Sequence, residues 1–483
     1  MATLERDILD RVGKYNLSTL EIISYRQDKE ESLPKTMDIR GITLTMSITE
    51  DIFSNNINGS ITVYDTQDVR SLLPLTGLER LSFKFNTPGL PGYDMTEDNG
   101  VPFHIYKVDS VKKDESGDIG QFYKIYFCSP EMYYNQITSV SRAYAGPIEN
   151  AVKDIFRNSK YLNSKKPLFV EDTATNAKYV IPSMKPYSAI NFLSSQCKSG
   201  KYNNAGYLFY ETSRGYHFRS LESMLAMGGA VARPTRFNFQ TQLMQVKDSK
   251  KDEVKDIQRR MQGVIRYDFG KQVDALENIR NGLYANRLIV HDAFNKTLTT
   301  HDFNYKDNYE KSYHLETIGS ELDADKQITP NTKLNDTGKS LYEYPNAKKM
   351  VVTETSKVHN DFEFVPTRET LPKITSQMTG YRNMNMTLLV HGNTLLNAGD
   401  VINFTVPVMQ PGEDKIPNPY TSGRYLIMAI KHTIAVTTQN HTMVLKCMKD
   451  SVRTPYPTEE DALIVGKDNT RDINIYNEDI SEL

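Results

Sequence analysis

The residue types that carry most enzyme chemistry are present here but scattered. Nine histidines are dispersed along the chain, with no HExxH, no CxxC and no GxSxG among the possible patterns. A zinc site needs its ligands at set spacings, and these are missing. His291 and His301 fall at opposite ends of a hairpin about Asn295-Lys296, and they are roughly opposed if the turn lies there. Neither has a nearby Cys or a further His at ligand spacing. His432 and His441 fall on adjacent strands, and both pairs read as surface or hydrogen-bonded histidines. Cys128, Cys197 and Cys447 lie far apart in apolar or strand-like settings, which reads as free buried thiols made in a reducing cytoplasm. Gly228-Gly229-Ala230 is followed by no Lys-Ser or Lys-Thr, so it is no phosphate loop. No catalytic, cofactor-binding or metal-binding residue is assigned.

Carboxylates are plentiful. A glycosidase needs two of them ~5–10 Å apart in a groove. Such sites usually come with Trp and Tyr platforms, and this chain has no Trp. Its 29 tyrosines follow the strands evenly and read as strand and interface filler. A cell-wall hydrolase or a carbohydrate-binding adhesin is the alternative reading. The segment KKDEVKDIQRR mixes both signs on one solvated helix, which argues against nucleic-acid binding there.

At 483 residues the chain should hold about three domains of ~150 residues. Its formal net charge of -2 favours neither nucleic acid nor membrane. The apolar fraction of 39% lies below the ~45–50% of ordinary globular proteins. That suits modest cores and thin-walled barrels that finish their burial in an assembly. The first twenty residues lack a charged n-region and an apolar h-region, and no later run reaches membrane-spanning length. The expectation is a soluble protein not exported by a cleaved signal.

The elements that must carry these residues are mostly strands. Met386, Leu388 and Val390 alternate with polar neighbours, and Ile402, Phe404 and Val406 make the next inward face. Gly399-Asp400 supplies turn chemistry, and Thr437 to Asn440 joins two further strands. Near the other end Ile42, Leu44, Met46 and Ile48 share a face. Asn58-Gly59 then gives a type I′-like hairpin signal. Between the two units, Pro147 opens a helix whose Ile148, Val152, Ile155 and Phe156 share a face. A second helix over about Ser188 to Ser199 precedes a hairpin turning at Ser213-Arg214. Asp274 to Asn281 reads as a short helix ending near Gly282.

The fold class is mainly β with a helical insert (α+β): two small antiparallel β-barrels plus peripheral α+β decoration. The divisions are a short helical arm over 1–17, a first barrel over 18–130, a mixed insert over 131–235, and the first part of a second barrel over 236–305. A polar linker or excursion follows over 306–372, then closing strands over 373–455. The tail over 456–483 holds eight acidic and two basic residues. No period of 20–50 residues repeats strongly, yet the first and last units look alike in kind, a hint of duplication.

Four segments together resemble a family. TMDIRGITLTMSITEDIFSNNINGSITVYD with LPLTGLERLSFKFNTPG looks like the first barrel of central baseplate hub proteins from contractile-tailed bacteriophages. KPYSAINFLSSQCKSGKYNNAGYLFYETSRGYHFRSLESML, DALENIRNGLYANRLIVHDAFNKTLTTHDFNY and the closing GNTLLNAGDVINFTVP…SGRYLIMAIKH…KDS fit in the same order, over about residues 20 to 455. Related hubs occur in type VI secretion spikes and contractile bacteriocins. The resemblance implies a non-enzymatic homotrimer of pseudo-sixfold symmetry in the virion's tail baseplate, assembled in the host cytoplasm. Its partners would be the central spike protein, tail tube or tube-initiator proteins and baseplate wedge proteins. It implies no cofactor and no membrane. Genome DNA would pass through the lumen without specific binding. No functional side chain carries over, because the family's function lies in surfaces. The turns expected to face neighbours are those around Asn58, Gly59, Gly399 and Asp400.

Overall fold

The computed structural model describes residues 9–24, 36–113 (except 74 and 100), 120–229 (except 203–204), 237–241, 257–316 (except 258, 293–294 and 310), 338–353, 367–407 and 417–452 (except 419). The expected acidic tail, most of the KKDEVKDIQRR helix and the first half of the N-terminal arm lie outside these residues. Residues 9–15 of the arm form no helix. They run as a bend against a later hairpin, with His441 donating its backbone N–H to the Gly13 carbonyl.

The first unit consists of β1 (Asn16–Ile23), β2 (Thr36–Asp38), β3 (Thr43–Asp51), β4 (Asn58–Asp65), the helical turn α1 (Val69–Leu72), β5 (Arg80–Asn86), β6 (Tyr93–Met95), β7 (Phe103–Lys113) and β8 (Gln121–Cys128). Its strands curl in the order β2-β1-β5-β7-β8-β4-β3, with β6 on the side of β5. The period-two pattern places Met46, Ile48, Ile61, Val63, Phe83, Phe85 and Phe127 in one buried cluster. Each such side chain taken fully out of water stabilises the fold by ~1.5–3 kcal/mol. Asn58-Gly59 is not the turn between β3 and β4. The turn is residues 52–57, and Gly59 pairs with Ile48 on one side and Phe127 on the other.

The insert holds α2 (Pro130–Ile137), β9 (Val140–Pro147), α3 (Ile148–Arg157), β10 (Leu168–Val170), β11 (Asn176–Met184), α4 (Pro186–Ser195), β12 (Tyr207–Thr212), β13 (Gly215–Ser220) and α5 (Leu221–Gly229). α3 begins directly after Pro147 and buries Ile148, Val152, Ile155 and Phe156, as its spacing predicts. α4 starts two residues before the expected Ser188 cap. Pro186 sits in its first turn, where a missing donor costs nothing, and the helix stops at Ser195, short of Gly200.

The second unit consists of β14 (Phe237–Thr241), β15 (Gly263–Phe269), α6 (Ala275–Asn281), β16 (Ala285–Asp292), β17 (Thr297–Asn304), α7 (Tyr305–Tyr309), β18 (Lys349–Thr353), α8 (Thr367–Tyr381), β19 (Met384–His391), β20 (Val401–Thr405), β21 (Gly423–Ala435) and β22 (Asn440–Lys449). Six strands close a barrel in the ring order β21-β20-β14-β15-β19-β22, with β22 pairing back to β21. The ring is not wholly antiparallel: β14 runs parallel to both β20 and β15. β17, β16 and β18 form a separate small sheet. Of residues 306–372, those described fold back on their own chain. Leu315 joins a buried cluster with Tyr381 and Leu426, Tyr342 joins another with Tyr284, and β18 pairs with β16. Among the described residues no helix is long and apolar enough to cross a membrane.

Candidate functional site: the seam between the barrels

The two barrels share one hydrogen-bonded sheet. β3 of the first pairs antiparallel with β21 of the second, from Asp51↔Ala429 to Thr45↔Ala435. β3 is the end strand of the first sheet, and it pairs with the stretch of β21 that runs past its pairing with β20, so each satisfies backbone groups the other would leave open. Ile434 of β21 belongs to the first barrel's core, while its neighbour Ile430 belongs to the second's. One strand therefore serves both cores.

Beneath this ladder lies a buried polar chain. His432 Nδ1 and His441 Nε2 are 3.1 Å apart, and both rings are fully buried. Phe85 presents its ring edge-on to both imidazoles, and Tyr93 packs edge-on to His432. Burial holds both imidazoles well below the ordinary histidine pKa, His441 at about 3. The Tyr93 hydroxyl donates to Glu50 at 2.5 Å, and Glu50 also accepts the backbone N–H groups of Ser213 at 2.6 Å and Ala398 at 3.0 Å. Burial outweighs those three donors and pushes the Glu50 carboxyl up to about 7. A second latch binds Thr87 of the first barrel to Thr394 of the second, backbone N–H to hydroxyl, at 3.1 Å.

The insert clamps the seam through the turn of its β12–β13 hairpin. Ser213 reaches Glu50 in the first barrel, and its hydroxyl bonds the Asn397 side chain of the second at 2.6 Å. Arg214 donates to the Leu395 carbonyl at 2.9 Å. Behind the hairpin, Lys166 donates to Glu211 at 2.5 Å and to Glu131 at 3.0 Å, all three residues buried. Glu211 also accepts from the Ile57 N–H at 2.9 Å and from the Ser129 hydroxyl. Burial opposes the Lys166 charge, and Glu131 with Glu211 more than offsets it, so its pKa is raised. These carboxylates are committed to fixed donors inside the fold. A buried network of this kind specifies how insert and barrel fit together.

The expected interface residues separate into two places. Asn58 is exposed at the start of β4, whereas a Cβ on Gly59 would stand 2.1 Å from the Phe127 ring. Gly399 adopts φ +90, a conformation that favours glycine, and is packed against the Tyr210 hydroxyl of the insert. Asp400 beside it lies 3.8 Å from Arg214. His291 and His301 are not opposed: His301 faces Leu288, and His291 faces Leu298. Among the described residues no cluster of three or more His, Cys, Asp or Glu is placed to hold a metal ion. All three cysteines are free and buried, and burial raises each thiol pKa, Cys128 to about 12. The His432–His441 pair lies in the core and not at the surface. The sequence carries a signal for this: His432 falls in step with the buried Ile430 and Ile434, and His441 with Met443 and Leu445.

The chain is therefore a mainly β protein of two fused barrels with an α+β insert. No family model matches the sequence, and no curated protein matches it. Among solved structures it is similar to the tail protein from Neisseria meningitidis MC58, 10% identical over 90% of this chain and 97% of that one, with a TM-score of 0.49. It is also similar to the 43 kDa tail protein of prophage MuSo2 from Shewanella oneidensis, 9% identical over 86% and 95%, TM-score 0.47. A third is an Escherichia coli component of the type VI secretion system, 9% identical over 87% and 77%, TM-score 0.41.

Proposed function

We propose that this protein is a structural tail component, the central hub of a contractile-tail baseplate. Three copies form a ring that joins a sixfold tail tube to a threefold spike and leaves a channel for the genome. The observation that carries this reading is the β3–β21 ladder, which joins the curled first unit to the closed six-strand second barrel within one chain. A threefold ring of such chains presents six barrels, which is how a trimer matches a hexameric tube. The order of the resembling sequence segments supports it, as does the commitment of the buried carboxylates to fixed structural donors. On this reading the protein is not an enzyme. Its partners are copies of itself, the spike, the tube and baseplate wedge proteins. The edges around Asn58-Gly59 and Gly399-Asp400 are proposed as subunit contacts, with Asn58 the exposed one of the four.

Light scattering of the purified chain across a concentration series, alone and with the neighbouring tail proteins, tests the proposal. A trimer, or a monomer that trimerises when the spike protein is added, is expected. A concentration-independent monomer that ignores tail proteins overturns it.

A further inference from the structure

The outward faces of β7, β8, β4, β3, β21, β22 and β19 make one uninterrupted surface across both barrels, each strand hydrogen-bonded to the next. The register sets one row of residues straight across it: Tyr126, Ser60, Ser47, Thr433, Thr442 and His391. Four of these six are Ser or Thr in succession, and Ser47 and Ser60 bond each other at 2.9 Å. Lysines flank the row. Lys431 and Lys446 are exposed, and Lys124 lies over the Tyr126 ring at 4.9 Å. Among the described residues no ion pair is formed by Lys124, Lys431 or Lys446. The nearby Asp109 is held by Lys107 at 2.5 Å, and Asp51 accepts the Phe53 N–H. A chain of net charge -2 therefore places a cationic, hydroxyl-rich strip on the one surface its two barrels share.

We infer that this face contacts the phosphate backbone of double-stranded DNA without reading its sequence. Lysines and Ser/Thr hydroxyls are the side chains that typically contact phosphate oxygens. The flat sheet presents no element that could enter a groove to read base edges. The aromatics of this face, Tyr64, Tyr106, Phe122 and Tyr126, gather at its β7–β8–β4 end, where Tyr126 lies under Lys107 and Lys124, so the middle of the face on β3 and β21 lacks the central aromatic anchors that carry most protein–protein binding energy. The inference rests on the hub reading, and it assigns this face to the wall of the channel. Contacts of this kind are few and screened by salt, which suits transit better than capture.

The test measures binding of a fluorescent random-sequence 30-base-pair duplex to the full-length protein between ~25 and ~200 mM NaCl, with particle mass read on the same samples. Weak binding that falls steeply with salt is expected. The triple variant Lys124→Glu, Lys431→Glu, Lys446→Glu should bind at least about tenfold more weakly at low salt, with its mass unchanged. The neutral Gln triple should fall between the two, which guards against a charge-reversed variant that fails to fold. A trimer that ignores the duplex, or binding untouched by the triple variants, overturns this inference and leaves the hub reading standing. A monomer that binds through these lysines upholds the surface and removes the ring.

Discussion

Lys166 shows how much of this structure depends on single buried charges. Removing one partner of a buried ion pair leaves the other uncompensated at a cost of about 3–5 kcal/mol. Lys166→Met should therefore lower the thermal midpoint sharply, because Glu131 and Glu211 stay behind in the same enclosed space. Adding Glu131→Gln and Glu211→Gln should recover most of the loss, and calorimetry of the single and triple variants checks both outcomes. The imidazole pair predicts a pH dependence. His432 and His441 are held neutral in the fold, with pKa values below the ordinary 6.5. The unfolded chain binds more protons once the pH falls below that value. Their contribution is whole above ~6.5 and is lost as pH falls toward about 3 for His441, by up to ~1.4 kcal/mol per pH unit for each group. Glu50 has the opposite sign: raised to about 7, it contributes fully below 4.5 and loses that contribution as pH rises through 7. Thermal melts of His432→Gln/His441→Gln should lose the steep decline between pH 6.5 and 5. An unaltered slope would remove the pair from the acid transition.

At the scale of elements, the sequence was legible where local chemistry and burial agree. α3 behind Pro147, the β12–β13 hairpin and α6 with its Asp274 cap and Gly282 stop all follow from such agreement. Asn58-Gly59 misleads because its glycine answers to a distant demand. The Phe127 ring fills the space a Cβ would take, so Gly59 sits within a strand and not at a turn. Gly59→Val should destabilise the first barrel by more than the ~1–3 kcal/mol typical of overpacking, since both the ring and the Ser47 carbonyl stand within 3 Å of the new Cβ. Chemical denaturation against wild type checks this. Two things left no mark in the sequence: the parallel placement of β14 between β20 and β15, and the pairing of β3 with β21. Period-two alternation says which face of a strand turns inward but not which strand lies beside it. Lys166 was equally illegible, since a lone lysine between ordinary segments carries no sign of the two glutamates it meets.

At the scale of the whole molecule, the hairpin turn at Ser213-Arg214 ties the insert to both barrels, so the three parts are expected to melt together. Asn397→Ala with Arg214→Ala removes its hold on the second barrel while leaving Glu50 in place. Two separate calorimetric transitions should replace one, or the single transition should broaden. A sharp, unshifted transition would show that the hairpin turn does not couple the barrels.

That ladder also sets an order of events during synthesis. Asp51 leaves the ribosome early and Ala429 late, and they are paired neighbours in the finished fold. At ~5–20 residues per second, β3 waits some tens of seconds with its outer edge bare. The first barrel can collapse in that interval, but its most adhesive strand has nothing to bind except a neighbouring nascent chain or a chaperone. Ribosomes spaced along one message would hold several such edges close together. A chain interrupted before β21 keeps the hazard permanently, so loss of those last strands should appear first as poor solubility and only second as lost assembly.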